Sequence, residues 1–248
     1  MQQLNLTGET KEQIAIRFLQ EHEPPEGYFL GFSGGKDSCV LYDLTKKAGV
    51  KFQAYYSATQ IDPPELVRFI HQNFHDVIWL FPRCSFFDGI VYQGAPRNTY
   101  RWCCNDLKKY PSRLTAIPLR RRLMGIRAEE SATRAHRPQI EKVGKVTHLK
   151  PIFYWLEWEV WDYIEYHNLP YCSLYDEEFD RLGCVMCPFI CGPNQYRIER
   201  NKKRWPVHYA AFEKAMKQLW DVREGKRQIK KGYSKTFEEF LSNWYHGK

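Results

Sequence analysis

The feature that most constrains the fold is a short apolar run, followed at once by a glycine-rich loop and a helical pattern. The run covers Tyr28–Phe32, and helical spacing of apolar residues continues over Cys39–Lys47. The loop between them reads Ser33-Gly34-Gly35-Lys36-Asp37-Ser38. A strand, a tight turn and a helix in this order are typical of a unit that builds a parallel sheet.

Further strands and helices alternate along the chain. Val50–Tyr56 and Val77–Phe81 have the composition of strands, and Glu65–Phe74 between them has helical spacing. Leu123–Arg127 is a further strand candidate, and Trp158–His167 is an amphipathic helix. Strands that alternate with helices predict an α/β fold, a doubly wound parallel sheet covered on both faces.

The glycine-rich loop has the composition of an anion-binding site. Gly34 and Gly35 permit a tight turn and a close approach of backbone to ligand. The free N–H groups and the dipole of the helix that follows favour negative charge, to which Lys36 adds a cation and Ser33 and Ser38 add hydroxyl donors. The pattern is not that of a Walker-type loop. It predicts binding of the phosphates of ATP or a close relative, and a simple strand-to-helix turn is the plainer alternative.

Length and composition indicate a globular protein. A chain of 248 residues accommodates one α/β domain with a small appendage, and 43% hydrophobic residues argue against disorder. We expect a nucleotide-binding domain over residues 1–191 and a helical, basic C-terminal segment over residues 192–248. No run approaches the roughly 18 apolar residues of a membrane span, and the start does not resemble a signal peptide. We therefore expect a cytoplasmic protein without a membrane partner.

The positive charge is concentrated in one late segment. Residues 197–231 hold 12 Lys and Arg against 4 Asp and Glu, which leaves 25 basic and 25 acidic residues elsewhere and accounts for the whole net charge of +8. Such a surface attracts phosphate backbones through counterion release, so a nucleic acid is an expected partner. A solvated basic helix face is the alternative.

Four of the eight cysteines have the spacing of metal ligands: the pair Cys103-Cys104 and Cys184-x-x-Cys187. Four thiolates suit tetrahedral zinc or an iron–sulfur cluster. Neighbouring side chains diverge, so an adjacent pair chelates one Zn²⁺ awkwardly but fits the separate iron corners of a cubane. Cys191 is either a substitute ligand or a sulfur carrier, and structural roles suit the remaining cysteines, Cys39, Cys84 and Cys172.

Taken in order, these motifs resemble the phosphoadenosine/adenosine phosphosulfate reductase family, within the PP-loop adenine nucleotide α-hydrolase superfamily. The segments that carry the resemblance are Ser33–Ser38, Ala58–Glu65, Gly125–Arg134, Pro151–Tyr171 and Tyr175–Cys187.

The resemblance implies a site as well as a fold. A nucleotide would contact the loop, and beyond it Thr59, Gly125, Arg127 and Arg134, with the arginines near its phosphates. Lys36 and Asp37 would be catalytic, and Asp37 would orient Mg²⁺. The iron–sulfur branch of the family implies a [4Fe–4S] cluster on Cys103, Cys104, Cys184 and Cys187.

The chain departs from the family at two places. The reductases carry a C-terminal cysteine that attacks sulfur, whereas residues 192–248 contain no cysteine. The family's Asp-Thr-Gly is replaced by Ala58-Thr59-Gln60. Because nucleophilic catalysis needs a poised thiolate, these departures shift the expectation away from sulfonucleotide reduction.

The expected activity is that of an ATP pyrophosphatase. It would adenylate a target, release pyrophosphate and let sulfur displace AMP, as in DNA phosphorothioation or tRNA thiolation, with a sulfur-donor protein as a further partner. One alternative is a reductase that releases sulfite from adenosine phosphosulfate by using Cys191 or a partner's thiol. The other is a non-catalytic nucleic-acid-binding protein.

Overall fold

The computed structural model describes residues 8–115, 119–191, 195–224 and 234–247, and the chain divides into two compact units. The first unit is formed by Met1–Ser57, Pro64–Leu80 and Ser112–Leu182. The second is formed by Ala58–Pro63, Phe81–Pro111 and Gly183–Lys248. The domain boundary predicted after residue 191 falls inside the second unit.

The first unit contains a six-stranded sheet with the strand order β3-β2-β1-β4-β6-β5. Its strands are β1 (Tyr28–Phe32), β2 (Phe52–Ser57), β3 (Ile78–Leu80), β4 (Arg121–Met124), β5 (Ile140–Val143) and β6 (Val146–Leu149). All pairings are parallel except that of β5 with β6. The predicted parallel α/β sheet is therefore confirmed, and it carries an antiparallel edge strand that the sequence pattern did not indicate.

The α-helices alternate with these strands and continue into the C-terminal part. They are α1 (Lys11–Glu21), α2 (Lys36–Lys47), α3 (Pro64–Asn73), α4 (Phe86–Gln93), α5 (Tyr110–Thr115), α6 (Ala132–Ala135), α7 (Glu157–Tyr166), α8 (Gln195–Arg204), α9 (Pro206–Leu219) and α10 (Phe237–Tyr245). The helical C-terminal segment predicted from the sequence is thus confirmed in the described residues.

Burial explains why β1 is the central strand of the sheet. Four of its five residues are buried, and Leu30 is fully so. Leu41 and Leu44 of α2 and Leu19 of α1 are also fully buried. A strand that is apolar on both faces is stable only where helices cover it, and this requirement fixes where the loop after β1 emerges.

The second unit has an aromatic core that joins α4 to the C-terminal helices. The ring centroids of Phe86 and Trp102 lie 5.7 Å apart, and those of Phe212 and Trp244 lie 4.5 Å apart. Gly89 is required in this packing, since a Cβ at that position would lie 2.3 Å from the Trp102 ring. The aromatic residues of the C-terminal segment therefore build a core of their own.

Throughout the described ranges, no helix combines the length and the apolar character that crossing a bilayer would need.

Candidate functional site

The phosphate loop lies at the point where the strand order of the sheet reverses. β1 pairs with β2 on one side and with β4 on the other. Ligands of open α/β sheets bind at the carboxyl ends of the strands at such a point. The loop Ser33–Ser38 follows β1, and Gly125 and Arg127 follow β4, so the topology brings these predicted site residues together within the first unit.

Two glycines give the loop its shape, each for a different reason. Gly34 has a φ of +72°, and a Cβ there would lie 2.7 Å from side-chain atoms of both Ile70 and Leu66. Gly35 has a φ of −75° and is the N-cap of α2, where it offers no side-chain hydrogen bond. The helix consequently begins at Lys36, whose amide is available to a partner outside the helix.

Hydroxyl oxygens accept hydrogen bonds from the first amides of this turn. The amide of Lys36 donates to the Tyr175 hydroxyl at 3.0 Å, and the amide of Gly35 donates to Ser33 Oγ at 3.4 Å. Ser33 Oγ donates to Ser38 Oγ at 3.1 Å, and Ser38 Oγ donates to the Gly35 carbonyl at 2.8 Å. Helix N-termini commonly bind phosphate groups, and here hydroxyl oxygens lie within hydrogen-bond distance of the first amides.

Lys36 is held by partners from distant parts of the chain. Its Nζ lies 3.0 Å from Glu157 Oε1 and 3.2 Å from the Asp180 carbonyl oxygen. The same ammonium lies 5.1 Å from the ring centroid of Tyr175 and 5.8 Å from that of Trp161. The residue is only 5% exposed. The spacing of residues in the sequence gives no signal for these contacts, because only tertiary folding brings Lys36 close to the residues between 157 and 180.

Arg127 is a buried cation between two carboxylates. Its Nε donates to Asp37 Oδ1 at 2.5 Å, and its Nη1 donates to Glu129 Oε2 at 2.6 Å. Burial by itself lowers the pKa of Arg127, but Asp37 and Glu129 outweigh it, so the pKa is raised. Asp37 is thereby held by a fixed charge at the first turn of α2.

The segment after β4 lies directly against this first turn. A Cβ on Gly125 would stand 3.0 Å from the Asp37 carbonyl oxygen and 3.3 Å from the Ser38 nitrogen. Arg134 is connected to the site through Glu130, which forms an ion pair with Arg134 and accepts a hydrogen bond from the Arg127 amide. The phosphate-binding roles of Gly125 and the two arginines stay predictions, and the first unit holds all three.

Thr59 lies in the second unit, among the cysteines. It is fully buried, and its Oγ1 accepts a hydrogen bond from the Ile61 amide at 3.3 Å. Its own amide donates to Asp62 Oδ2 at 3.2 Å. The Cys184 thiol lies 3.8 Å from Thr59 Oγ1 and from Asp62 Oδ1. The nucleotide-binding role of Thr59 stays a prediction, while its observed contacts are those of a support for Cys184.

The second unit contains all four predicted metal ligands, here called the cysteine group: Cys103, Cys104, Cys184 and Cys187. Their thiols interact with one another. A hydrogen bond with Cys104, burial and the nearby Cys184 and Cys187 all raise the pKa of Cys103. The same hydrogen bond lowers the pKa of Cys104 to about 6, against the opposing effect of burial. The fold therefore brings thiols of two distant segments close to one another, and their role as metal ligands stays a prediction.

Basic residues surround the cysteine group. Lys108, Arg101 and Lys109 all contribute to the lowered pKa of Cys104. The pKa of Lys108 is itself raised, chiefly by Cys184. Burial raises the pKa of Cys184 to about 11, with Lys108 acting in the opposite direction. Positive charge at this place favours thiolates over thiols.

A single metal ion and an iron–sulfur cluster require different arrangements of four thiols. A tetrahedral zinc site needs sulfurs about 3.8 Å apart. Over the ranges that the structure describes, no group of three or more His, Cys, Asp or Glu side chains has the arrangement to hold one metal ion. A cubane places each thiolate on its own iron and spreads the sulfurs more widely. In composition, the donor set of four thiols in one unit fits such a cluster.

The Cys-x-x-Cys loop is anchored by Val185, the first of its two middle residues. The Val185 amide donates to the Ile61 carbonyl at 2.7 Å. Its carbonyl accepts from Asn201 Nδ2 at 3.0 Å and from the Tyr209 hydroxyl at 3.3 Å. The C-terminal helices α8 and α9 thus position the loop between Cys184 and Cys187, a role that sequence reasoning missed.

Cys191 is a buried thiol. It is 4% exposed, and burial, together with Cys187, raises its pKa to about 12. A catalytic nucleophile needs a solvent-accessible thiolate. Cys191 is buried, and its raised pKa favours the protonated thiol. The catalytic role predicted for Cys191 stays a prediction that its surroundings do not favour.

The predicted basic segment is described only in part. Lys202 is paired with Glu213 at 2.6 Å, and Lys217 with Asp221 at 2.5 Å. The last turn of α8 carries Lys202, Lys203 and Arg204. Four further basic residues of the segment, Lys226, Arg227, Lys230 and Lys231, lie outside the described residues. Some of the positive charge is therefore neutralised within the chain, and nucleic-acid binding is a proposal.

Sequence comparison relates this chain to sulfonucleotide reductases. An uncharacterised protein of Methanocaldococcus jannaschii is 29% identical over 236 residues, which cover 89% of this chain and 48% of that protein. Adenosine 5'-phosphosulfate reductase 2 of Bacillus subtilis is 28% identical over 187 residues, 68% of this chain and 75% of that enzyme. The chain spans about half the length of the archaeal relative.

Structural comparison shows the same fold in nucleotide enzymes. The phosphoadenylyl-sulfate reductase of Candida auris, in a phosphate complex, has a TM-score of 0.55 and 17% identity, over 73% of this chain and 90% of that chain. The FMN adenylyltransferase of Candida glabrata, with FAD and inorganic pyrophosphate, has a TM-score of 0.52 and 15% identity, over 71% and 62%.

One further match, to a protein-family model, identifies the family and agrees with the geometry of the site. Residues 27–189 match the phosphoadenosine phosphosulfate reductase domain. This range includes the phosphate loop, the switch point of the sheet and the whole cysteine group. The chain therefore belongs to the phosphoadenosine phosphosulfate reductase family and is an enzyme of the PP-loop type.

Proposed function

We propose that this enzyme adenylates an acceptor with ATP and releases pyrophosphate, so that sulfur can then be inserted. The observation that carries the proposal is the first turn of α2. There, Gly34 permits the turn, Gly35 provides no side-chain cap, and the amides of Gly35 and Lys36 donate to hydroxyl oxygens. Such a turn suits the two phosphates of a pyrophosphate group.

The proposed reaction has two displacements. An acceptor oxygen attacks the α-phosphorus, the bond from that phosphorus to its bridging oxygen breaks, and pyrophosphate leaves with the oxygen. A sulfur nucleophile then attacks the activated atom, and AMP leaves with the acceptor's oxygen. Negative charge that develops on the pyrophosphate is stabilised by the first-turn amides and by Lys36, which are in place before the reaction begins.

Arg127 and Asp37 organise the phosphate end of the site in this proposal. Arg127 is buried and fixed by two carboxylates, so its side chain needs little reorganisation when phosphate binds. One Asp37 oxygen, Oδ1, accepts from Arg127, and the other is the candidate ligand for Mg²⁺. Mg²⁺ bound with ATP would neutralise charge on the phosphates.

We further propose that the cysteine group holds a [4Fe–4S] cluster. The support is the donor set of four thiols in one unit, with Lys108, Lys109 and Arg101 around it. A cluster with four thiolate ligands is anionic, and these cations would stabilise it. When bound, it would hold or relay the sulfur that is inserted.

The proposed acceptor is a nucleic acid, and a sulfur-donor protein is the proposed partner. The support is the charge of residues 197–231, with 12 basic against 4 acidic side chains. Ion pairs of Lys202 and Lys217 use a part of that charge, and the surplus of basic over acidic side chains in the segment is what a phosphate backbone would contact.

A reductase of adenosine phosphosulfate is the second candidate, because relatives such as the Bacillus subtilis protein bear that name. Reduction needs an accessible thiolate that attacks sulfur and releases sulfite. Cys191, the thiol considered for this role, is 4% exposed. Its burial favours the adenylating function over the reductase.

An assay with the two nucleotides tests the proposal. Anaerobically purified protein is offered either ATP together with nucleic acid or adenosine phosphosulfate, and pyrophosphate and sulfite are measured. We expect pyrophosphate from ATP, and a loss of about 10²–10³-fold in Lys36→Ala, as for removal of one preorganised donor. The matched control is Lys46→Ala, which removes an exposed lysine of the same helix that pairs with Asp76. It is expected to retain full activity.

The two products separate the candidate functions. Sulfite from adenosine phosphosulfate, with ATP untouched, would establish the reductase and overturn the adenylation proposal. Pyrophosphate release that Lys36→Ala leaves unchanged would place the reaction elsewhere than at this loop.

The cysteine group is tested by its metal content. We expect four irons and the charge-transfer absorption of a cluster in the anaerobic protein, both strongly reduced in Cys187→Ser. Cys84→Ser, a half-buried thiol of the same unit outside the group, should keep both. Retention in Cys191→Ser would exclude Cys191 as a ligand. One zinc ion per chain without iron would refute the cluster.

A further inference from the structure

The Tyr175 hydroxyl lies at the surface of the phosphate loop, although the loop motif does not include it. It accepts the hydrogen bond of the Lys36 amide at 3.0 Å. It also lies 3.4 Å from the position that a Cβ on Gly35 would occupy. The phenol oxygen is therefore directly above the N-cap of α2, where a bound phosphate would meet the helix.

The tyrosine is fixed in this position before any ligand binds. It belongs to the 3₁₀ turn Ser173–Glu177, in which Leu174 is fully buried. Glu178 ends the turn with a φ of +62°. The ring meets Trp161 edge-on at a centroid distance of 5.1 Å, and the Lys36 ammonium lies 5.1 Å from its centroid. Contacts with Trp161 and with the Lys36 ammonium restrict rotation of the phenol away from this position.

The hydroxyl proton of Tyr175 is the part of the side chain that could form a hydrogen bond with a ligand. A phenol has one proton to donate and can accept at the same time. The oxygen already accepts from the Lys36 amide, and within the described ranges no acceptor is found for the proton. Burial raises the pKa of Tyr175, so the proton is retained at neutral pH. A donor whose acceptor is missing is suited to a phosphate oxygen.

We propose that Tyr175 is a phosphate-binding residue, whose hydroxyl donates a hydrogen bond to the pyrophosphate portion of the nucleotide on the loop. This inference rests on the proposed function in one respect, namely that the loop binds a nucleotide's phosphates. It adds a donor from a distant segment to the amides of the loop. It also explains why residue 35 is a glycine, since a side chain there would contact both the Tyr175 hydroxyl and the ligand.

The test is a binding measurement with the whole 248-residue chain. Calorimetric titration with inorganic pyrophosphate and with ATP compares the wild type with Tyr175→Phe, which removes only the hydroxyl. We expect the dissociation constant for both to rise about ten- to hundredfold, the effect of one hydrogen bond to a charged group. An unchanged thermal unfolding midpoint would show that the variant is folded.

Tyr171→Phe is the matched control. Tyr171 also meets Trp161 edge-on, at 5.4 Å, but its hydroxyl donates to Asp176 at 3.0 Å. Its removal should leave both dissociation constants unchanged.

Three outcomes would overturn the inference. Equal binding by wild type and Tyr175→Phe would show that the hydroxyl makes no contact with phosphate. Tighter binding by the variant would show that the hydroxyl only fills the site and is displaced. A wild type that binds neither pyrophosphate nor ATP would overturn the proposed function along with this inference, so the two failures are distinguishable.

Discussion

Gly34→Ala is expected to abolish ATP binding and to lower the free energy of unfolding by about 2–5 kcal/mol. Part of this is the backbone cost of a φ of +72° for a residue with a Cβ. The rest is a clash, because the new methyl group would lie 2.7 Å from the buried side chains of Ile70 and Leu66. The loop can escape only by changing the conformation that presents its amides. Denaturant unfolding and calorimetric titration with ATP measure the two effects.

Gly49→Ala separates the two contributions. Gly49 has a φ of +69°, and nothing lies within 4 Å of the position of its Cβ. This variant should show the backbone cost alone, about 1–2 kcal/mol, and should bind ATP normally. If Gly34→Ala were no more costly than Gly49→Ala and bound ATP equally well, the tight packing under the loop would have no role in shaping it.

Arg127→Met is expected to eliminate pyrophosphate release and to cost about 2–3 kcal/mol of stability. The guanidinium is 4% exposed, and its loss leaves Asp37 and Glu129 as neighbouring carboxylates without their shared cation. The cost stays below the roughly 3–5 kcal/mol of a fully buried pair because the Asp37 and Glu129 side chains are 20% and 44% exposed. Unfolding and pyrophosphate assays on the same preparation measure both effects.

Arg134→Met is the matched control for stability. Arg134 also pairs with a carboxylate, that of Glu130, but its side chain is 31% exposed. A pair of this kind contributes about 0–1 kcal/mol, so the variant should remain close to wild type in stability. Equal losses in the two variants would mean that the burial of Arg127 has no energetic consequence.

The parts of the site that could be predicted from sequence are local. The strand Tyr28–Phe32 was predicted with the bounds that the structure has, and the loop and α2 follow it directly. Consecutive residues determine these features, since a buried apolar run, a glycine at positive φ and the first turn of a helix are set by neighbours in the chain. The cysteine spacing belongs to the same class of information.

Strands and helices without a strong local pattern were either not predicted or predicted with different bounds. β4 covers Arg121–Met124 instead of the predicted Leu123–Arg127, because Gly125 must leave the strand to lie against the first turn of α2. The hairpin Ile140–Leu149 is short and half-exposed, so its pattern does not differ from that of a loop. The helix Phe86–Gln93 was not predicted, because it is only about two turns long and carries a glycine at Gly89.

The sequence by itself determined the fold class, the phosphate loop and the two cysteine motifs. Only the tertiary structure decided the surroundings of these groups. Lys36 is held by Glu157 and Tyr175, and Val185 is fixed by helices from the C-terminal segment. The physical reason is that a turn depends on the torsions of a few adjacent residues. A partner far along the chain is selected by the topology of the sheet and by the packing of the whole unit, which no short stretch of sequence encodes.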